Sequence, residues 1–173
     1  MSPSLNSIRN LGSMQKNYRY RVLFAKMPAV VSGIDVNALN LLTESSEIPR
    51  RNNQPIEISL HGHRIKEPGI STSAGTLSIT FRETETPIVR DFISQWEEGV
   101  YDLQSGVSAD KAGVEAIILI QQLDSNDNPT MTYRLEGCFL EEADLGSLEG
   151  GSSETQVVTA TISYDNYTSS VGG

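Results

Sequence analysis

The segment ETPIVRDFISQWEEGV, residues 85–100, has the pattern of one amphipathic helix in a chain whose other segments alternate like β-strands. Thr86 suits the N-cap, Pro87 suits the first helical position, and Gly99 suits the C-terminal end. Apolar residues recur at the spacing of one helical face. We therefore expect a helix over about residues 86–99 that packs on a sheet through Ile88, Phe92 and Trp96.

Period-two alternation of apolar and polar residues predicts strands in most of the remaining chain. The predicted strands span residues 17–25, 56–66, 76–83, 114–123, 130–142 and 155–167. In the second of these, Ile56, Ile58 and Leu60 are expected to face inward, and the segment 67–75 is expected to be a turn-rich connection to a neighbouring strand, 76–83. Strands with one apolar and one polar face are typical of antiparallel sheets.

The predicted fold is mainly β, with two packed antiparallel sheets in a β-sandwich or flattened barrel and one flanking α-helix at about residues 86–99. Residues 1–16 are polar and are expected to form an N-terminal arm. Residues 17–168 are expected to form one β-sandwich domain, and residues 169–173 a C-terminal tail.

Charge is distributed unevenly along the 173 residues, which carry 22 acidic and 13 basic side chains and a net charge of −9. This balance argues against tight binding of nucleic acid, which favours a basic patch. The first acidic residue is Asp35, and no Lys or Arg follows Arg134. The basic N-terminal part and the acidic C-terminal part of the chain either pair within one subunit or meet between subunits in a heterologous contact. The residues concerned are Arg9, Lys16, Arg19 and Arg21 on one side and Glu141, Glu142 and Asp144 on the other.

Motifs that carry chemistry are weak in this sequence. His61 and His63 lack a third metal ligand at motif spacing, and the segment DSNDNP, residues 124–129, departs from a calcium loop and is expected to be a turn. Cys138 is the single cysteine and lies in a strand-like run. The longest apolar run, residues 116–120, is too short to span a bilayer. We therefore expect no catalytic residues, no metal site, no cofactor and no membrane anchor, in a chain that folds in a reducing cytosol.

The order of four segments resembles the tail-tube proteins of contractile-tailed bacteriophages. The segments are NYRYRVLF (17–24), LNLLTESSEIPRRNNQPIEI (39–58), TLSITFRETETPIVRDFISQWEEGV (76–100) and TATISYDNY (159–167). The order is also similar to the tube proteins of extracellular contractile injection systems and of type VI secretion. The resemblance covers about residues 17–168.

The resemblance implies a tail-tube β-sandwich that assembles into six-subunit rings, which stack into a hollow tube inside a contractile sheath. Sheets of neighbouring subunits would join into a barrel around the lumen. Its partners would be further copies of itself and the sheath and baseplate proteins, with no cofactor and no catalysis. Phage DNA would pass through the lumen without specific binding, in a virion tail whose subunits are made in the bacterial host cytoplasm.

Polar strand positions are the candidates for the wall of such a lumen, since an acidic, hydrated wall repels DNA. They are Glu57, Ser59, His61, Thr76, Ser78 and Thr80. Two alternatives remain open. One is an injection-system or type VI tube subunit that carries protein effectors. The other is a monomeric β-sandwich binding module, which an aromatic content of 6% disfavours.

Overall fold

The computed structural model describes residues 4–151 and 153–172. Its strands are β1 (Tyr20–Lys26), β2 (Thr43–Ser46), β3 (Asn52–Leu60), β4 (His63–Thr72), β5 (Gly75–Arg82), β6 (Ala116–Leu123), β7 (Pro129–Asp144), β8 (Val157–Tyr164) and β9 (Asn166–Val171). Its helices are α1 (Leu5–Arg9), α2 (Val36–Leu41), α3 (Ile88–Val100) and α4 (Lys111–Val114).

Seven strands form one bent antiparallel sheet in the order β1-β6-β7-β8-β5-β2, with β9 also paired to β7. The 16-residue β7 belongs to both parts of the bend: its first part pairs with β6 and β9, and its last part pairs with β8. We call the part β1-β6-β7-β9 sheet one and the part β7-β8-β5-β2 sheet two. Gly137, at φ +65°, lies where β7 passes from one to the other.

The two sheets bury one common core, to which β1, β6 and β7 contribute from one side and β5 and β8 from the other. The rings of Phe24 on β1 and Phe81 on β5 stack across it with centroids 6.5 Å apart. Leu77, Ile79 and Phe81 point inward, as the alternation predicted. The prediction of a mainly β fold with two packed antiparallel sheets and a flanking helix is confirmed.

Helix α3 covers one side of this core. Phe92 and Trp96 are fully buried, whereas Ile88 is only half-buried at the rim. The Phe92 ring lies 5.4 Å from that of Phe24 and 5.2 Å from that of Trp96. The Trp96 indole Nε1–H donates to the carbonyl of Val114 at 2.7 Å, which ties the helix to the end of α4, just before β6.

The ends of α3 differ from the sequence prediction. The helix begins at Ile88, and its first amides are capped by the Glu83 carboxylate, which accepts N–H groups of Val89 and Arg90 at 3.2 and 2.8 Å. Thr86 as N-cap is therefore wrong. Gly99 lies inside the helix rather than ending it. Its lack of a side chain permits close packing, since a Cβ there would meet Val30 at 2.4 Å.

Strands β3 and β4 form a separate two-stranded sheet, which we call the hairpin. The prediction of one strand over residues 56–66 is wrong because the chain reverses at His61 and Gly62. Both have positive φ, 49° and 81°, as a two-residue type I′ turn requires. Most of the predicted connection 67–75 is strand β4. The hairpin does not pair with β5, and Ile56 and Leu60, expected inward, are 52% and 56% exposed.

The chain termini also carry regular structure. Helix α1 lies within the predicted arm, of which residues 1–3 lie outside the described residues. The last predicted strand is interrupted at Asp165, after which β9 continues along β7. Strand β9 includes residues 169–171, so most of the predicted C-terminal tail is part of sheet one; residue 173 lies outside the described residues.

Candidate functional site

The outer face of sheet two is a continuous polar surface. Antiparallel pairing of β5 with β8 sets three hydroxyl side chains opposite three others: Thr76 with Ser163, Ser78 with Thr161, and Thr80 with Thr159. The Thr80 and Thr159 hydroxyl oxygens lie 3.4 Å apart. The alternate residues of both strands are buried, so one side of the sheet is core and the other is a ladder of hydroxyls.

Carboxylates border this ladder on the β7 side. The register sets Glu142 opposite Thr161 and Asp144 opposite Thr159, which puts their side chains on the same outer face. Glu141 occupies a bulge between Leu140 and Glu142, and its carboxylate accepts the Ser163 hydroxyl at 2.5 Å. The structure thus brings three residues predicted as inter-subunit contacts onto the face predicted as the lumen wall.

The opposite side of the ladder, towards β2, is acidic as well. The Glu47 carboxylate accepts the backbone N–H of Ser78 at 3.0 Å. Arg82, at the end of β5, is paired with Glu44 at 2.5 Å. Arg82 is the one cation within the four segments of sheet two, Thr43–Ser46, Gly75–Arg82, residues 139–144 and Val157–Tyr164, and its charge is neutralised locally. The face is therefore hydroxylic and net negative.

Both edges of sheet two are open within the described part of the chain. Strand β2 pairs only with β5, and β6 pairs with β7 no further than Cys138. The last part of β7, residues 139–144, therefore has one edge without a backbone partner. Unpaired edges of this kind are templates for pairing with another chain. A groove of about 580 Å³ lies beside the β2 edge, lined by residues 16–20 and 44–46 and by Ile48.

The other predicted wall residues lie on the hairpin, away from sheet two. Glu57 is opposite Lys66 and forms an ion pair with it at 3.2 Å, and Ser59 is opposite Arg64. His61 lies in the turn. These three residues therefore do not share a sheet with Thr76, Ser78 and Thr80.

The predicted basic residues are spread over the arm and β1. Arg9 ends α1, and the Lys16 ammonium lies 5.8 Å from the Tyr18 ring centroid, where it lowers the pKa of that phenol. Arg19 pairs with Asp127 at 2.8 Å, and Arg21 donates to the Gln121 side chain at 2.6 Å. Among the described contacts, none joins these cations to Glu141, Glu142 or Asp144.

Groups with catalytic potential are dispersed. Cys138 is fully buried, and burial raises the pKa of its thiol to about 12, so it is protonated at neutral pH. Both histidines lie on the exposed hairpin. Across residues 4–151 and 153–172, no group of three or more His, Cys, Asp or Glu side chains is placed to hold a metal ion. No helix of that part of the chain has the length and apolarity needed to cross a bilayer.

These observations define a two-sheet β-sandwich with a buried flanking helix, one acidic, hydroxylic sheet face between two open edges, and a projecting hairpin. No protein-family model matches the chain, and no curated protein sequence matches it.

Solved structures of contractile injection systems share this fold. The chain is similar to one in the anti-feeding prophage cap, the tube-terminating cap, with TM-score 0.69, 15% identity, and coverage of 92% of this chain and 93% of that one. It is similar to one in the sheath-tube complex of an extracellular contractile injection system, PVC, in the extended state, with TM-score 0.68, 15% identity and 98% and 99% coverage.

A chain of the anti-feeding prophage baseplate matches with TM-score 0.63, 14% identity and 92% and 97% coverage. The resemblance to tail-tube proteins is thereby confirmed at the level of the fold, over almost the whole chain.

Proposed function

We propose that this chain is a structural, non-enzymatic subunit of the inner tube of a contractile apparatus, and that it assembles into stacked six-subunit rings around a lumen. The observation that carries the proposal is sheet two: an acidic, hydroxylic face between two open strand edges. Support for the class of assembly comes from the fold, which tube and tube-terminator proteins of contractile injection systems share.

Ring closure follows from joining the two different edges of sheet two. The β2 edge of one subunit pairs with the free edge of the last part of β7, residues 139–144, of the next. Two different patches in contact form a heterologous interface, which closes into a ring when the rotation permits. Each contact removes two exposed edges and extends the polar face into one wall. The lumen is then lined by Thr76, Ser78 and Thr80 with the β7 carboxylates.

The cargo is the finer part of the proposal. A phage tail passes the genome, and a wall of hydroxyls and carboxylates repels the phosphate backbone, so that DNA slides without binding. The second candidate is the tube of an injection system that carries protein effectors, and it is favoured by the solved structures, which come from such systems. Purification of the assembled tubes distinguishes the two candidate functions. Tubes attached to DNA-filled heads indicate a phage tail, and tubes in headless particles indicate an injection system.

Contacts with a sheath and a baseplate complete the proposed assembly, in the virion tail or in the equivalent particle. Helix α3 packs one side on the core, and its solvent side presents Asp91, Glu97 and Glu98. We assign this acidic surface to the sheath side of the ring, since sheet two takes the lumen side. Structures of this fold occur in sheath-tube and baseplate complexes.

Cysteine accessibility in assembled particles tests which face lines the lumen. Thr76→Cys places a thiol on the wall and Ser94→Cys places one on the exposed side of α3, while native Cys138 is buried and silent. In tubes verified by negative-stain microscopy, a polyethylene glycol maleimide too large to enter the lumen should label Ser94→Cys and spare Thr76→Cys. A small maleimide should label both. Equal labelling of both by the large reagent refutes the assignment of the wall.

A proline on the β2 edge tests ring closure. Glu47 donates its N–H to Ser78, so the N–H of Ser46, one residue earlier on an extended strand, points to the open edge. Ser46→Pro removes that donor and should abolish rings in sedimentation and microscopy, whereas the matched Ser46→Ala should assemble normally. Unchanged ring formation by a folded Ser46→Pro protein would exclude the β2 edge as the contact.

A further inference from the structure

Two apolar surfaces of this chain are largely exposed, with no partner among residues 4–151 and 153–172. The arm carries Leu5, Ile8, Leu11 and Met14, which are 46–72% exposed. The hairpin has one apolar face, formed by the side chains of Ile56, Ile58 and Leu60 on β3 and Ile65 on β4; Ile56, Leu60 and Ile65 are at least half exposed. Its strands contact each other far more than any other element. Neither surface belongs to the core.

The arm surface is a stripe with a cation beside it. Leu5 and Ile8 are three residues apart on α1 and share one side of the helix, and Arg9, four residues after Leu5, borders the same side. Arg9 and Lys16 are the ionisable side chains of residues 4–16, and no acidic residue precedes Asp35. The stripe is therefore apolar and positive.

The hairpin surface is apolar with an anion beside it. The register sets Glu67 opposite Ile56 and His63 opposite Leu60, so these are the ionisable residues of the apolar face. Glu57, Arg64 and Lys66 belong to the other face, where Glu57 and Lys66 form their ion pair. The apolar face therefore carries one carboxylate, that of Glu67, and no Lys or Arg side chain.

We propose that the arm of one copy docks through Leu5 and Ile8 on the apolar face of the hairpin of a second copy, with Arg9 next to Glu67. Contact between like surfaces would bring Glu67 towards Glu67 or Arg9 towards Arg9, whereas arm on hairpin joins opposite charges. The inference rests on the proposed function, since it needs copies of the chain to assemble. It assigns a contact between subunits that is separate from the open edges of sheet two.

The arm is long enough to reach a neighbour. Its base is held on the body, where the Gln15 side chain donates to the carbonyl of Leu123 at 3.0 Å. The ten residues 5–14 beyond this anchor span up to about 33 Å when extended and about 15 Å when helical. Arm and hairpin start close together on the body, since one groove is lined both by Lys16 and Tyr18 and by Ile48 before β3.

Disulfide trapping between two single-cysteine variants tests the contact. Ile8→Cys and Ile65→Cys proteins are purified full-length, mixed under assembly conditions and mildly oxidised; the parent chain, with Cys138 buried, is the blank. The mixture should form a disulfide-linked dimer of one copy of each. Ile65→Cys alone should not, and neither should Ile8→Cys mixed with the matched control Ser59→Cys, which lies on the polar face of the hairpin.

If something other than the arm of a second copy docks on the hairpin, a different disulfide-linked product forms. Dimers of Ile65→Cys alone would show hairpin on hairpin and overturn the proposal. An Ile8→Cys/Ile65→Cys double variant that closes within one chain, when the mixture forms no dimer, would show the arm on its own hairpin and overturn it too. Electron microscopy of the same samples distinguishes failure of the arm–hairpin contact from failure of the proposed function. Tubes without cross-links refute only this inference, and the lack of any assembly refutes the proposed function.

Charge reversal supplies an independent test in sedimentation. Arg9→Glu or Glu67→Arg alone should weaken association about tenfold or more, and the double reversal should restore it, because the opposite charges meet again. Two single variants with parent-like association would refute the pairing of Arg9 with Glu67. Failure of the double variant to recover would refute it as well.

Discussion

Replacing Trp96 with Phe tests whether α3 is joined to the sandwich through one buried hydrogen bond. The indole is fully buried, and its Nε1–H donates to the carbonyl of Val114 at 2.7 Å. Phenylalanine keeps an aromatic ring beside Phe24 and Phe92 but removes the donor. The carbonyl is then left without its partner in the core, and an unsatisfied buried group costs about 1–3 kcal/mol.

The smaller ring of phenylalanine also lowers the free energy of unfolding because it makes fewer packing contacts in the core. Phe lacks the three extra ring atoms of Trp, and a buried methylene-sized group contributes roughly 0.8 kcal/mol, so full loss of contact costs about 2 kcal/mol and partial collapse reduces it. We expect Trp96→Phe to lower the free energy of unfolding by about 3 kcal/mol. With a urea slope of about 1–3 kcal/mol/M, the midpoint falls by at least about 1 M.

Urea unfolding followed by far-UV circular dichroism is the assay, because the substitution removes the only Trp and with it the fluorescence signal. Phe92→Leu is the matched control, since it trims the same aromatic cluster without leaving a polar group unpaired; about 1–2 kcal/mol is expected for it. If Trp96→Phe costs under about 1 kcal/mol, or less than Phe92→Leu, the hydrogen bond does not hold the helix as argued.

Three further predictions concern the fold that positions the edges of sheet two. Glu83→Ala removes the cap of α3 and should cost about 1 kcal/mol in urea unfolding, with Glu83→Gln between it and the parent; no change would exclude the cap. Gly137→Ala should cost more than Gly62→Ala, because both have positive φ but only at Gly137 would a Cβ meet Asp165, at 2.2 Å; equal Tm values would contradict this. The Cys138 thiol, with its pKa raised above the ordinary 9.0 to about 12, adds stability that is complete below pH 9 and is lost as pH rises towards 12; a Cys138→Ala variant should lack this alkaline loss, and iodoacetamide at pH 8.5 should modify the parent only in urea.

The helix and the main strands could be predicted because the spacing of apolar residues that indicates each element lies within one stretch of chain. Five apolar residues at helical spacing made α3 predictable to within two residues, and the buried side of β5 followed from strict alternation. The ends of α3 were missed because Glu83, the residue that caps it, lies five residues before its first residue in an irregular segment. A side chain that caps a helix from an irregular segment has no regular spacing in the sequence from the residues that it caps.

The hairpin shows a different limit. Residues 56–61 alternate apolar and polar side chains, which indicates a strand, but the phase of the alternation changes after the turn. Arg64 stands where the pattern would place an apolar residue, and Ile65 stands where it would place a polar one. The informative signal was Gly62 after His61, two positions that both adopt positive φ; Asn or Asp in place of His61 would have made the turn explicit. Alternation shows which residues share a face and leaves open what covers that face, so Ile56 and Leu60 were predicted to point inward although both are more than half exposed.

The acidic wall could not be read from the sequence because it depends on strand order. Thr76 and Glu142 are 66 positions apart, and they share a face only because β8 pairs with β5 on one side and with the end of β7 on the other. The bulge at Glu141 then decides which of two consecutive carboxylates is in register with the hydroxyl ladder.

Deleting Glu141 removes the extra residue of this bulge, so Glu142 stays opposite Thr161 with its side chain on the outer face, and rings should still form. Deleting Ala143 instead moves Asp144 into register with Ala160, which is fully buried, because a strand has period two. We expect the Ala143 deletion to lose either stability or the edge that joins the next subunit. Normal rings from the Ala143 deletion would mean that the edge of β7 does not set the ring contact.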